Sequence, residues 1–165
     1  MPTSNLRRFH TAQAAAHSGY AHALAEVRGP GKRTHWIWYI FPQRAGLGRS
    51  PQAQHYGVAG LREAKAYLQD PVLRSRLLEI TTAVAERLRS GASLQNVLGS
   101  SIDALKLVSS MTLFAQISRE LSAEEPHVDH AALAEVAQRV LEAASAQGYT
   151  ECAFTRNALR NGVSR

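Results

Sequence analysis

The sequence predicts an all-α fold, a compact single-domain bundle of several helices. Three observations carry that expectation. Apolar residues recur at steps of three and four through most of the chain, as in Leu73, Leu77, Ile80, Val84 and Leu88. Helix starts are marked by a capping residue followed by proline, at Ser50-Pro51 and Asp70-Pro71. No second stretch of strand character exists to pair with the one ambiguous apolar run, Trp36–Phe41. At 165 residues, 45% hydrophobic and 19% charged, the chain has the size and composition of one folded domain. That domain is expected to cover residues 1–165, with its core at about 5–148 and a poorly defined tail at 149–165.

In chain order, Asn5 caps a helix whose face is Leu6, Phe9, Ala16, Tyr20, Leu24 and Val27. Gly19 weakens its middle and Gly29-Pro30-Gly31 ends it. His10 and His17 lie seven apart, too far for a helical metal pair, and read as surface residues. Thr34 and Pro42 bracket Trp36–Phe41 as a short buried helix, although its β-branched and aromatic content also suits a strand. Arg44–Ser50 is a glycine loop. Ser50-Pro51 opens a helical turn, followed by a face of Leu61, Ala64, Tyr67 and Leu68. Asp70-Pro71 starts a long helix that runs to Gly91. Ser93 and Leu94–Leu98 form one turn closed by Gly99. Ser101 or Asp103 caps a helix carrying Ile102, Leu105, Val108, Thr112 and Ile117. Pro126 breaks the chain, and Asp129 restarts it with Leu133, Val136, Val140 and Ala144 as far as Gly148. From Tyr149 the chain is short, polar and frayed. Trp36, Ile40, Leu73, Leu77, Leu105, Val108 and Leu133 are expected to share one core.

Charge is uneven along the chain. Seven basic groups face Glu26 alone in residues 1–49, whereas residues 120–151 hold seven acidic groups and only Arg139. Either the late acidic segment faces the basic early one, or both are simply solvated, or the basic third attracts phosphates or nucleic acid. Cys152, the single cysteine, excludes an internal disulfide and a zinc pattern, and nothing near it in sequence lowers its pKa. No metal or cofactor is expected. The longest apolar run is too short to span a bilayer and the N-terminus lacks a signal-like core, so a cytoplasmic protein is expected.

Three segments, KRTHWIWYIFPQRAGLGRS, HYGVAGLREAKAYLQDPVLRSRL and GSSIDALKLVSSMTLF, resemble a bacterial family known as domain of unknown function 1810. The resemblance runs from about Phe9 to Phe114 and implies a compact all-helical domain with no established activity. Two departures stand out: Arg74 replaces a glycine of the family pattern, and the segment after Pro126 fits poorly. Members often carry a calpastatin label. That label does not suit this chain, because calpastatin-like repeats are disordered and this sequence encodes a core.

Lys32–Ser50 is the favoured site, because it holds both tryptophans, two glycines and four basic residues. His35, Trp38, Gln43, Arg44, Gly46, Gly48, Arg49 and Lys106 are its candidate ligand-binding residues. Arginines suit bidentate phosphate contacts, aromatic faces suit a base or sugar, and a glycine loop offers free amides. The loop is not a nucleotide-hydrolase phosphate loop, since no Gly-Lys-Ser/Thr follows it. The leading function is therefore binding of a phosphorylated small molecule or nucleotide. An alternative is an N-glycosidase-like hydrolase acting on an ADP-ribose-related substrate, with His35, Glu63 and Asp103 as acid–base candidates. A third is a nucleic-acid or protein interaction module built on the basic third. A steep salt dependence would mark nucleic acid and a saturable mononucleotide effect would mark the pocket.

Overall fold

The computed structural model describes residues 5–162. Its ten helices are α1 (Arg7–Gln13), α2 (Tyr20–Arg28), α3 (Ile37–Ile40), α4 (Pro51–Tyr56), α5 (Leu61–Gln69), α6 (Pro71–Arg89), α7 (Leu94–Leu98), α8 (Ser101–Glu124), α9 (Val128–Ala146) and α10 (Ala153–Gly162). No strand occurs among the described residues; one isolated parallel bridge joins Arg44 to Val58. The fold is all-α, as the periodicity predicts.

The bundle is built around α8. This helix packs on α3, α5, α7, α9 and α10, and every residue from Leu107 to Ala115 is buried. A helix surrounded in this way cannot be amphipathic, so its sequence must be small and apolar on all sides. Three of the four hydroxyls it buries are satisfied locally: Ser109, Thr112 and Ser118 donate to the carbonyls four residues earlier, at 3.1, 2.8 and 2.6 Å, whereas the Ser110 hydroxyl has no partner among the described residues. Helix α9 lies along α8 and α6 and contributes Leu133, Val136, Val140 and Ala144 to the core. Of the seven expected core residues, six are buried and Leu105 is not. Leu105 is 52% exposed and Ile102 is 66% exposed. In the first turns of α8 the inward positions belong to Ala104 and Leu107, so the 102–105 spacing points outward.

The cap signals are obeyed at three helix starts, those marked by Ser50, Asp70 and Ser93. Asp70 accepts from the amides of Val72 and Leu73, each at 3.0 Å, and Ser50 from Ala53 at 3.1 Å. His10, read as a surface residue, is tied to the second oxygen of Asp70 at 2.7 Å. Elsewhere the caps differ from expectation. The first helix is preceded by Leu6 without a side-chain cap, α8 is capped by Ser100, and α9 is capped by Nδ1 of His127.

The N-terminal helix is two helices, not one. Gly19 sits so close to the preceding turn that a Cβ there would lie 2.2 Å from the Ala15 carbonyl oxygen. The chain therefore doubles back between α1 and α2, and only glycine fits. Gln13 fills the reversal, donating to the Tyr39 carbonyl at 2.8 Å. The tail also differs from expectation: α10 packs on α8 and buries Thr155 and Leu159. Their spacing of four gives one narrow inward face, too sparse to stand out in a polar sequence.

Arg74 joins three elements. It donates to the Leu68 carbonyl at 3.0 Å and reaches Asp129 at 3.4 Å, bridging the ends of α5 and α6 to the start of α9. Acidic Glu124 pairs with Lys65 at 3.0 Å and Asp129 with Arg74 at 3.4 Å, so these acids of the late segment face bases of the chain's middle and not the basic early segment.

His130 sits beneath this junction, 1% exposed, with no partner on Nδ1. Burial lowers its pKa, and the neighbouring Arg74 and His127 add to the effect, outweighing Glu125 and Asp129. The unfolded chain therefore binds a proton at His130 below about pH 6.5 while the fold resists it. Stability is full above that pH and declines below it, levelling off beneath the folded pKa. Denaturation midpoints of the wild type should fall between about pH 7 and 5, and His130→Gln should flatten that decline. Parallel profiles for the two proteins would remove His130 as its source. Asp70 and Glu26, whose pKa values are lowered in the fold, extend the loss to lower pH. Their contribution is present above the unfolded carboxylate pKa and disappears as pH falls through the folded one.

Candidate functional site

Residues Arg33–Phe41 are fixed by a buried carboxylate. Glu26, at the end of α2, accepts from the Trp36 indole at 2.7 Å, from the Thr34 hydroxyl at 2.9 Å, and from the amides of Arg33 and Thr34. Burial alone would raise its pKa; these four donors overcome that and lower it. Thr34 is therefore not the cap of α3, because its amide and hydroxyl both serve Glu26. The short helix begins at Ile37 and leaves Trp38 half-buried on its outer side.

The glycine loop is fixed from below. The Ala45 amide donates to the Val58 carbonyl and the Val58 amide to the Gln43 carbonyl, both at 2.8 Å. Arg8 holds the far strand of this connection, donating to the carbonyls of His55 and Gly57 at 2.8 and 3.1 Å. Its guanidinium also pairs with Glu63. Gly46 turns at φ +101, with its Cα facing the Phe154 ring of α10. The amides of Gly46, Leu47, Gly48 and Arg49 make no hydrogen bond among the described residues.

Between this loop, α3, α4 and the first turns of α8 lies a cavity of about 430 Å³. That volume lies within the range of small-molecule pockets, roughly 300–1,000 Å³. Trp38, Gln43, Arg44, Gly48, Arg49 and Lys106 of the expected site all line it. Lys106 stands 4.7 Å from the Trp38 ring centroid and 3.4 Å from Asp103. No aspartate or glutamate lines the cavity.

The remaining candidates lie elsewhere. Gly46 is beside the cavity and shapes the loop without lining it. His35 is exposed outside it, offering its carbonyl to the Tyr39 hydroxyl at 3.0 Å. Glu63 belongs to the Arg8 cluster. Asp103 is behind the wall, between Lys106 and a second lysine, Lys32, at 2.6 Å. Lys32 is only 7% exposed and nothing in local sequence announces its pairing with Asp103.

Sequence reasoning missed Tyr56, Ile102 and Leu105 as lining residues. A signal for the last two existed: Ile102 precedes Leu105 by three residues and Lys106 by four, a helical spacing, on a side the core does not need. Cys152 also differs from expectation. Burial pushes its thiol pKa up, but the hydroxyls of Ser109 and Thr155 and the amides of Thr155 and Phe154 lower it on balance. These groups come together only when α10 docks on α8.

The fold is similar to the crystal structure of the conserved hypothetical protein Rv1873 from Mycobacterium tuberculosis. The two chains are 42% identical with a TM-score of 0.65, over 79% of this chain and 84% of that one. No curated protein matches the chain. The family model described as "Protein of unknown function (DUF1810)" matches residues 3–144, which extends the likeness past Phe114 and Pro126 into α9. With most of its length matched, the chain belongs to the DUF1810 family.

Proposed function

We propose that the cavity binds a small anionic ligand, a phosphorylated small molecule or nucleotide. One observation supports this most: Arg44, Arg49 and Lys106 reach one aromatic-walled cavity that no acidic side chain lines. The open amides of the glycine loop add donors at the same rim. Hydrolysis of a glycosidic bond is the weaker reading, because its acid–base candidates do not meet. Glu63 is engaged by Arg8, Asp103 by two lysines, and His35 faces away. The nucleic-acid reading needs a continuous basic surface, whereas of the seven cations of residues 1–49 Arg8 pairs with Glu63, Lys32 with Asp103, and Arg44 and Arg49 line the cavity, which leaves Arg7, Arg28 and Arg33 exposed.

A thermal-shift screen of nucleotides, sugar phosphates and ADP-ribose derivatives tests the proposal. A ligand at 100 times its Kd stabilises by about 2.7 kcal/mol, a rise of several degrees. Arg49→Lys should weaken the ligand about tenfold while leaving the unliganded Tm unchanged, because lysine cannot reproduce a bidentate contact. Normal binding by Arg44→Ala, Arg49→Ala and Lys106→Ala alike would place the ligand elsewhere.

A further inference from the structure

The cavity is chemically divided. Among the described residues five large hydrophobic side chains are markedly exposed, and two of them, Ile102 and Leu105, line the same wall of this cavity one turn apart. The cations are distributed the other way. On the α8 side, Asp103 sits between Lys106 and buried Lys32, so the three groups carry one net charge. On the loop side, Arg44 and Arg49 have no carboxylate partner among the described residues, and the amides beside them are open. Near the apolar wall one hydroxyl has its proton engaged and another serves as an acceptor. Ser109 donates to the Leu105 carbonyl at 3.1 Å and Ser50 accepts from the Ala53 amide at 3.1 Å. A polyol lying against this wall would lose water and find few partners in exchange.

We infer that the ligand is a phosphate ester with a compact apolar body, its phosphate on the glycine loop and its body against Ile102 and Leu105. This rests on the anion-binding reading above and narrows it from phosphates in general to those whose organic part is apolar. The amphiphile matches both ends of the cavity, covering leucine and isoleucine surface that water otherwise contacts and meeting two uncompensated arginines.

Calorimetric titrations with phenyl phosphate, hexyl phosphate, ribose 5-phosphate and glycerol 3-phosphate, at one salt concentration, test the inference. Phenyl or hexyl phosphate should bind at least about tenfold more tightly than either polyol phosphate. Leu105→Ser, a change at an exposed position, should abolish that advantage and bring the affinities of the four esters together. Equal affinities for all four esters would overturn the inference and spare the anion reading, and binding by none of them would overturn both. Sedimentation offers a separate refutation: a wild-type dimer dissolved by Leu105→Ser would assign the apolar wall to a second copy of this chain.

Discussion

Glu26→Ala is expected to destabilise the protein by about 3–5 kcal/mol and to disorganise the tryptophan segment along with it. The carboxylate serves four donors from three residues, Arg33, Thr34 and Trp36, and the Trp36 ring that depends on it is fully buried. Hydrogen bonds to a charged acceptor contribute about 1.5–3 kcal/mol each, and they are not additive within one cluster. Removing the acceptor also strands the indole N–H away from water. For a chain of this size the Tm should drop by roughly 6–20 °C. Glu26→Gln retains one acceptor oxygen and should cost clearly less. The comparison is made by thermal denaturation followed through tryptophan fluorescence, since both tryptophans lie in the affected segment. Equal, small losses for the two variants would mean that the segment holds itself without the carboxylate.

Leu77→Ala should cost about 2–5 kcal/mol, measured as a shift in urea midpoint at constant slope. Leu77 is 1% exposed in the middle of α6, a helix packed on both α2 and α9. Deleting its branch opens a cavity that two flanking helices are too rigidly packed to fill. A loss below about 0.5 kcal/mol would place the side chain at the surface. The same substitution at Leu105 is predicted to fall in that small range, because Leu105 lies half in water. The pair separates burial from residue type, which is where sequence reasoning failed.

The helices were legible where punctuation is local. Asp70-Pro71 and Ser50-Pro51 announce their own starts, and α6 shows its inward face in every turn. Helix α8 was harder, since a helix buried on all sides offers no contrast between faces. Its first turns then protrude, so apolar residues that resemble core became cavity wall. The break at Gly19 depends on a close approach of two backbone segments that no pattern within either one encodes. The loop side of the candidate site is contiguous in sequence and was found from composition. Its partner wall arrives from more than fifty residues away, and only Lys106 of that wall was named in advance. Long-range pairings such as Lys32 with Asp103 and Arg8 with Glu63 exist only once the helices have packed.

Because α8 is at once the hub of the core and one wall of the cavity, the two cannot open independently. Most candidate sites on loops exchange their amide hydrogens through small local openings, and a ligand then protects only the loop. Here Lys106 belongs to a helix whose centre is enclosed by α3, α5, α7, α9 and α10, so exchange of the amides from Leu107 to Ala115 requires dismantling the bundle. A ligand held against that helix should slow exchange along α8 and its neighbours, far from any atom it touches. Occupancy would then be recorded as protection of the whole cooperative unit, with the glycine loop contributing only a minor share.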